Sequence, residues 1–165
     1  MRGAGVGIGL LLGIGATVRL DAQVDIVFVG GACMVADTTL TATAAVPPWR
    51  ALCPVILYNP KTLFALPGPV ALYVIHHEGG HLALGHGARP EAPPRDRPGW
   101  QTWADFVRGR ELEADCHAAR TLRASKWPDV IEAVAAALDR TPDTTSGTGP
   151  APSLKQIATE LRRCG

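Results

Sequence analysis

The residues of this 165-residue chain best suited to chemistry are His77-Glu78-Gly79-Gly80-His81. On a helix, residues four apart lie one above the other, so His77 and His81 aim two imidazoles at one point. Two imidazoles so placed suit a zinc ion, Zn2+, and Glu78, one step round, stands where its carboxylate reaches water beside the ion. The chemistry implied is hydrolysis. Zinc lowers the pKa of its water to about 7, Glu78 takes the proton as the water attacks a carbonyl, and the proton then passes to the leaving amine.

Catalytic zinc usually takes three protein ligands, so two histidines are not enough. Glu111-Leu112-Glu113-Ala114-Asp115 begins thirty residues after His81. Glu111 and Asp115 are four apart and share a helix face, whereas Glu113 points elsewhere. Glu111 is the natural third ligand. Asp115 then accepts a proton from the free ring nitrogen of a ligand histidine and fixes its tautomer. Ala114 allows two helices to approach. A third histidine ten positions after His77 is a rival scheme, but that position is Gly87, and His86 is one residue short. His86 is therefore expected to be a surface or helix-capping residue. Tyr73, His86 and His117 are weighed as oxyanion donors without a choice among them. Tyr73 is otherwise a core or rim residue, and His76 and His117 are structural or exposed.

The paired motifs, His77-Glu78-Gly79-Gly80-His81 and Glu111-x-x-Ala114-Asp115, resemble those of the gluzincin metallopeptidases. They resemble in particular the branch holding the heat-shock membrane peptidases, the CAAX prenyl proteases and the small soluble minigluzincins. It covers roughly residues 54–123. The resemblance implies a zinc metalloendopeptidase acting on a peptide or protein substrate. His77, His81 and Glu111 would bind the metal, Glu78 would be the general base and Asp115 the orienting carboxylate. It also implies an α+β fold, a mostly helical zincin-like core with a small N-terminal sheet packed on the motif helix. Val55 to Tyr58 would be the edge strand above the cleft, to which a peptide adds as another strand. The alternative is a catalytically inactive zincin-fold module that binds a peptide or partner around a structural zinc. The presence of Glu78 favours the enzyme.

Several elements must position these residues. Pro67-Gly68-Pro69 resets the chain and opens a helix from Val70 to about Gly85. Leu72, Ile75, Gly79 and Leu82 form its core-facing stripe, with Tyr73, His77, His81 and Leu84 alongside. Its two internal glycines cost about 1 kcal/mol each relative to alanine, which makes sense where a backbone or substrate comes close. The proline-rich segment Ala88–Gly99 is expected to be a loop, followed by a helix over Gln101–Ala124. A third helix runs over Asp129–Leu138. Ser153 and Gln156 make a capping box that opens the last helix, with Leu154, Ile157, Leu161 and Cys164 on its apolar stripe. Upstream, Val24–Val29, Cys33–Val35 and Val55–Tyr58 read as strands, and Thr38–Trp49 as mostly irregular.

The bulk properties agree with a globular protein: hydrophobic residues are 47% and charged residues 19%. A net charge of +1 excludes an electrostatic footprint for nucleic acid. Arg2 precedes sixteen uncharged residues, Gly3 to Val18, a run short for a membrane span and rich in glycine. Residues 1–22 are thus expected to form a secretory signal peptide, cleaved after Ala22, with a retained anchor as the alternative. The mature domain would be 23–165, secreted or periplasmic and without a membrane segment. In such a compartment Cys33, Cys53, Cys116 and Cys164 read as two disulfides, of three possible pairings. Cys116 and Cys164 both lie on apolar stripes, which favours Cys116–Cys164 together with Cys33–Cys53.

Overall fold

A computed structural model describes residues 9–11, 15–19, 25–29, 32–42, 44–45, 54–86, 95–125, 127–144 and 148–165. It is α+β, with strands gathered in one compact unit, Met1–Leu66, and the long helices in another, Pro67–Gly165. No helix among the described residues is long and apolar enough to cross a membrane.

The first unit holds strands β1 (Gly9–Leu11), β2 (Gly15–Arg19), β3 (Asp25–Val29), β4 (Ala32–Ala36), β5 (Ala44–Ala45) and β6 (Val55–Tyr58). Their order in the sheet is β1-β2-β3-β4-β6-β5. Strands β1 and β2 fall within the residues expected to be a signal peptide. Strands β4 and β6 run parallel, and their residues Ala32, Cys33, Met34, Val55, Ile56 and Tyr58 are buried. One expectation changes here, that Val55–Tyr58 is the edge strand. The segment after Thr38 includes a short strand, β5, and β6 is flanked on both sides. Ala44 pairs with Tyr58 and Ala45 with Leu57, so β6 is not the sheet's edge. Asn59 then caps a single turn, α1 (Pro60–Leu63). Its side chain accepts from the Lys61 amide and donates to the Leu40 carbonyl.

The second unit contains α2 (Gly68–Ala83), α3 (Arg97–Ala124), α4 (Asp129–Arg140) and α5 (Leu154–Cys164). Helix α3 starts four residues earlier than expected. Asp96 caps it through the Gly99 amide, and Pro98 sits in the first turn, where its missing N–H costs nothing. Part of the proline-rich loop therefore belongs to the helix. The Ser153–Gln156 capping box forms as expected, with both reciprocal hydrogen bonds present.

The core of this unit joins Ala119 and Leu122 of α3, Val130, Ile131 and Val134 of α4, and Leu161 of α5. Val70, Leu72 and Tyr73 of α2 pack against it. A disulfide between Cys116 and Cys164 fastens α5 to α3, with Cα atoms 5.1 Å apart. Cys33 is disulfide-bonded too, but the pairing expected for it involves Cys53, which lies outside the described residues. The Cys116–Cys164 bond spans 48 positions, a long loop to leave open in the unfolded chain. Replacing both cysteines by serine should cost about 2–4 kcal/mol, read as a lower denaturant midpoint at unchanged m-value. An unchanged midpoint would show that the core alone holds α5.

Candidate metal centre

The helix pair α2 and α3 sets the position of every candidate ligand. At their crossing Gly80 is buried, and a β-carbon added there would lie 2.8 Å from the Ala114 carbonyl oxygen and 3.1 Å from the Ala114 Cα. The helices touch backbone to backbone, as Gly80 and Ala114 permit. Among the described residues nothing lies within 4 Å of a β-carbon built on Gly79, so of the two the close approach there belongs to Gly80. Gly79 therefore does not serve as a packed position of the core-facing stripe.

This approach brings three ligand atoms together. His77 Nε2 lies 3.1 Å from His81 Nε2, and Glu111 Oε2 lies 3.3 Å and 3.4 Å from those two nitrogens. In a tetrahedral site with bonds of about 2.0–2.1 Å, neighbouring ligand atoms stand about 3.3–3.4 Å apart. The trio has the dimensions of one face of such a site, and all three residues are partly buried.

Asp115 lies behind His77, only 1% exposed. Its Oδ1 is 2.7 Å from His77 Nδ1 and also accepts a hydrogen bond from the Tyr73 hydroxyl. With the proton of the neutral ring on Nδ1, the Nε2 lone pair faces Glu111 and His81. Asp115 Oδ2 has no hydrogen-bond partner among the described residues. A buried carboxylate in that state calls for nearby positive charge. The electrostatics agree. Burial opposes a charge on His77, yet hydrogen bonds to Asp115 and Glu111, with the fields of Asp115 and Glu78, push its pKa up to about 10. Burial also opposes a charge on Glu111, but hydrogen bonds from His77 and His81 hold it well below the usual carboxylate range. Burial, then the charge of Asp115, pushes the Tyr73 hydroxyl upward and keeps it a donor.

The structure brings together His77, His81, Glu111 and Asp115, and Glu78 lies close enough to influence His77. The structure also decides between the alternatives left open for Tyr73 and His86. Tyr73 commits its hydroxyl to Asp115, which removes it from the oxyanion candidates. The His86 side chain is only 10% exposed, and its ring lies between His81 and Glu113. Of the two expected alternatives it takes the helix-capping one, its amide donating to the His81 carbonyl, and Glu113 stands outside the ligand trio as expected. Arg108 bonds to the Gly149 carbonyl and to Asp105. His117 packs its Cβ by Gly80, a structural position as expected. The spacing of His86, five after His81, was the available signal for its contact, but only the turn geometry gives that spacing meaning.

Comparison with protein-family models, with curated proteins and with solved structures gives no match. The functional reading therefore stands on the geometry of this chain.

The two motif glycines should respond in opposite senses. Gly80→Ala must part the helices and should cost about 1–3 kcal/mol, the usual range for overpacking. Gly79→Ala meets none of the described residues and should stabilise by up to about 1 kcal/mol through helix propensity. Equilibrium denaturation of the two variants checks the pair, and equal effects would contradict the crossing described here.

Proposed function

We propose that the protein is a zinc-dependent metallopeptidase hydrolysing peptide bonds in a peptide or protein substrate. The observation that carries this reading is the convergence of His77 Nε2, His81 Nε2 and Glu111 Oε2 to 3.1–3.4 Å, with Glu78 in the same motif. Two imidazoles and one carboxylate suit zinc, whereas calcium and magnesium prefer six or more oxygen ligands. The gluzincin resemblance and a zincin-like core belong to the same proposal: a motif helix crossed closely by a second helix that bears the third ligand. A secreted or periplasmic location is also part of it, consistent with the Cys116–Cys164 disulfide.

When bound, zinc supplies Lewis acidity and lowers the pKa of water to about 7. His77, His81 and Glu111 would hold it. Asp115 keeps the His77 proton on Nδ1 and the ring aimed at the centre, and Tyr73 holds Asp115 in turn. Glu78 takes the proton of the attacking water on its carboxylate and delivers it to the leaving amine.

Zinc content and cleavage of a quenched-peptide panel, measured for the native chain and for Glu78→Gln, test the proposal. The expected result is one zinc in each protein and activity in the native chain alone. The variant should fall by about 10²–10⁴-fold, the usual contribution of a general base. Two inert, zinc-loaded proteins would instead favour a binding module with structural zinc. Absence of zinc from both would overturn the metal reading itself.

A further inference from the structure

Among the described residues, no carboxylate lies directly behind the second ligand histidine, His81. Its Nδ1 lies 3.2 Å from Nδ1 of His86, and Nε2 of His86 lies 3.2 Å from Glu113 Oε2. We propose that His86 is a positioning residue for His81, fixing its tautomer and ring orientation for metal binding, with Glu113 fixing His86 in turn. This inference rests on the metal centre proposed above.

The backbone builds the contact. Gly85 adopts φ 71°, the left-handed region that glycine enters without steric cost. There the Gly85 amide donates to the Leu82 carbonyl at 3.2 Å and the His86 amide donates to the His81 carbonyl at 2.7 Å. These two bonds form a Schellman motif, which ends α2 and turns the chain back over its last turn. His86 is thereby tied to His81 twice, main chain to main chain and ring to ring.

Proton counting then leaves one arrangement. To serve as a ligand, His81 must keep Nε2 unprotonated, so its neutral ring carries the proton on Nδ1. That proton has His86 Nδ1 as its acceptor, which must then be bare. The His86 proton therefore sits on Nε2, where it donates to Glu113. The neutral tautomers that satisfy both contacts are the ones that present His81 ready for metal. His77 is oriented by one carboxylate, and His81 by an imidazole backed by a carboxylate. Glu113 is 66% exposed on its side chain, so the larger share of the effect falls to His86.

Zinc affinity, measured by competition with a chromophoric chelator, and imidazole nitrogen shifts of the metal-free chain together test this. His86→Ala should bind zinc about 10–100-fold more weakly, the usual loss when a partner behind a ligand is removed. It should also move His81 from the Nδ1–H form toward a mixture of tautomers, a change that a merely structural role would not produce. His86→Asn, whose side-chain oxygen can accept the same proton, should recover most of both. Native zinc affinity and an unmoved His81 tautomer in folded His86→Ala would overturn the inference while leaving the metal centre intact. A native chain that takes up no zinc would overturn both. If His86→Ala does not fold, Glu113→Ala decides: a second His81 tautomer supports the relay, and an unchanged spectrum overturns it.

Discussion

Helices α2 and α3 bring the candidate ligands His77, His81 and Glu111 together only because their backbones meet at Gly80 and Ala114. A β-carbon on Gly80 would sit 2.8 Å from the Ala114 carbonyl oxygen, closer than packing allows. The contact sits next to both halves of the centre. Gly80 immediately precedes His81, and Ala114 immediately precedes Asp115. An outward shift of about a methyl group would move Glu111 and Asp115 away from the imidazoles together. The helix-propensity penalty of the motif glycine, about 1 kcal/mol, is offset by this approach.

Around that crossing, polar groups are ordered from the buried side outward. Tyr73 and His77 share one oxygen of a nearly inaccessible Asp115. His86 and Glu113 sit behind His81 on the more exposed side. Each imidazole of the trio thus has a defined partner on the nitrogen that faces away from the other candidate ligands, which limits its rotation and tautomer exchange. The scaffold beneath is held by the apolar core of α3, α4 and α5 and by the Cys116–Cys164 disulfide. Cys116 directly follows Asp115, so the covalent tie lies one residue from the carboxylate that orients His77.

Much of the centre was legible from residue spacing. Four-residue separations put His77 with His81 and Glu111 with Asp115 on common helix faces, because a helix repeats every 3.6 residues. Helix ends were legible where a local device marks them, as in the Ser153–Gln156 capping box. The start of α3 was less so, because Pro98 reads as a loop residue until Asp96 is seen to cap the first turn. The sheet was read incompletely: nothing in Ala44-Ala45 signals a strand, and those residues pair only because β6 offers them a partner.

The sequence by itself determined which residues could ligate a metal and which helices carry them, since both follow from periodicity within a single segment. Only the tertiary structure decided how the two segments meet. It made Gly80 rather than Gly79 the point of contact, committed the Tyr73 hydroxyl to Asp115, and turned His86 back onto His81 through the left-handed Gly85. These outcomes depend on distances between residues far apart in the chain, or on one backbone angle. Helical periodicity encodes neither.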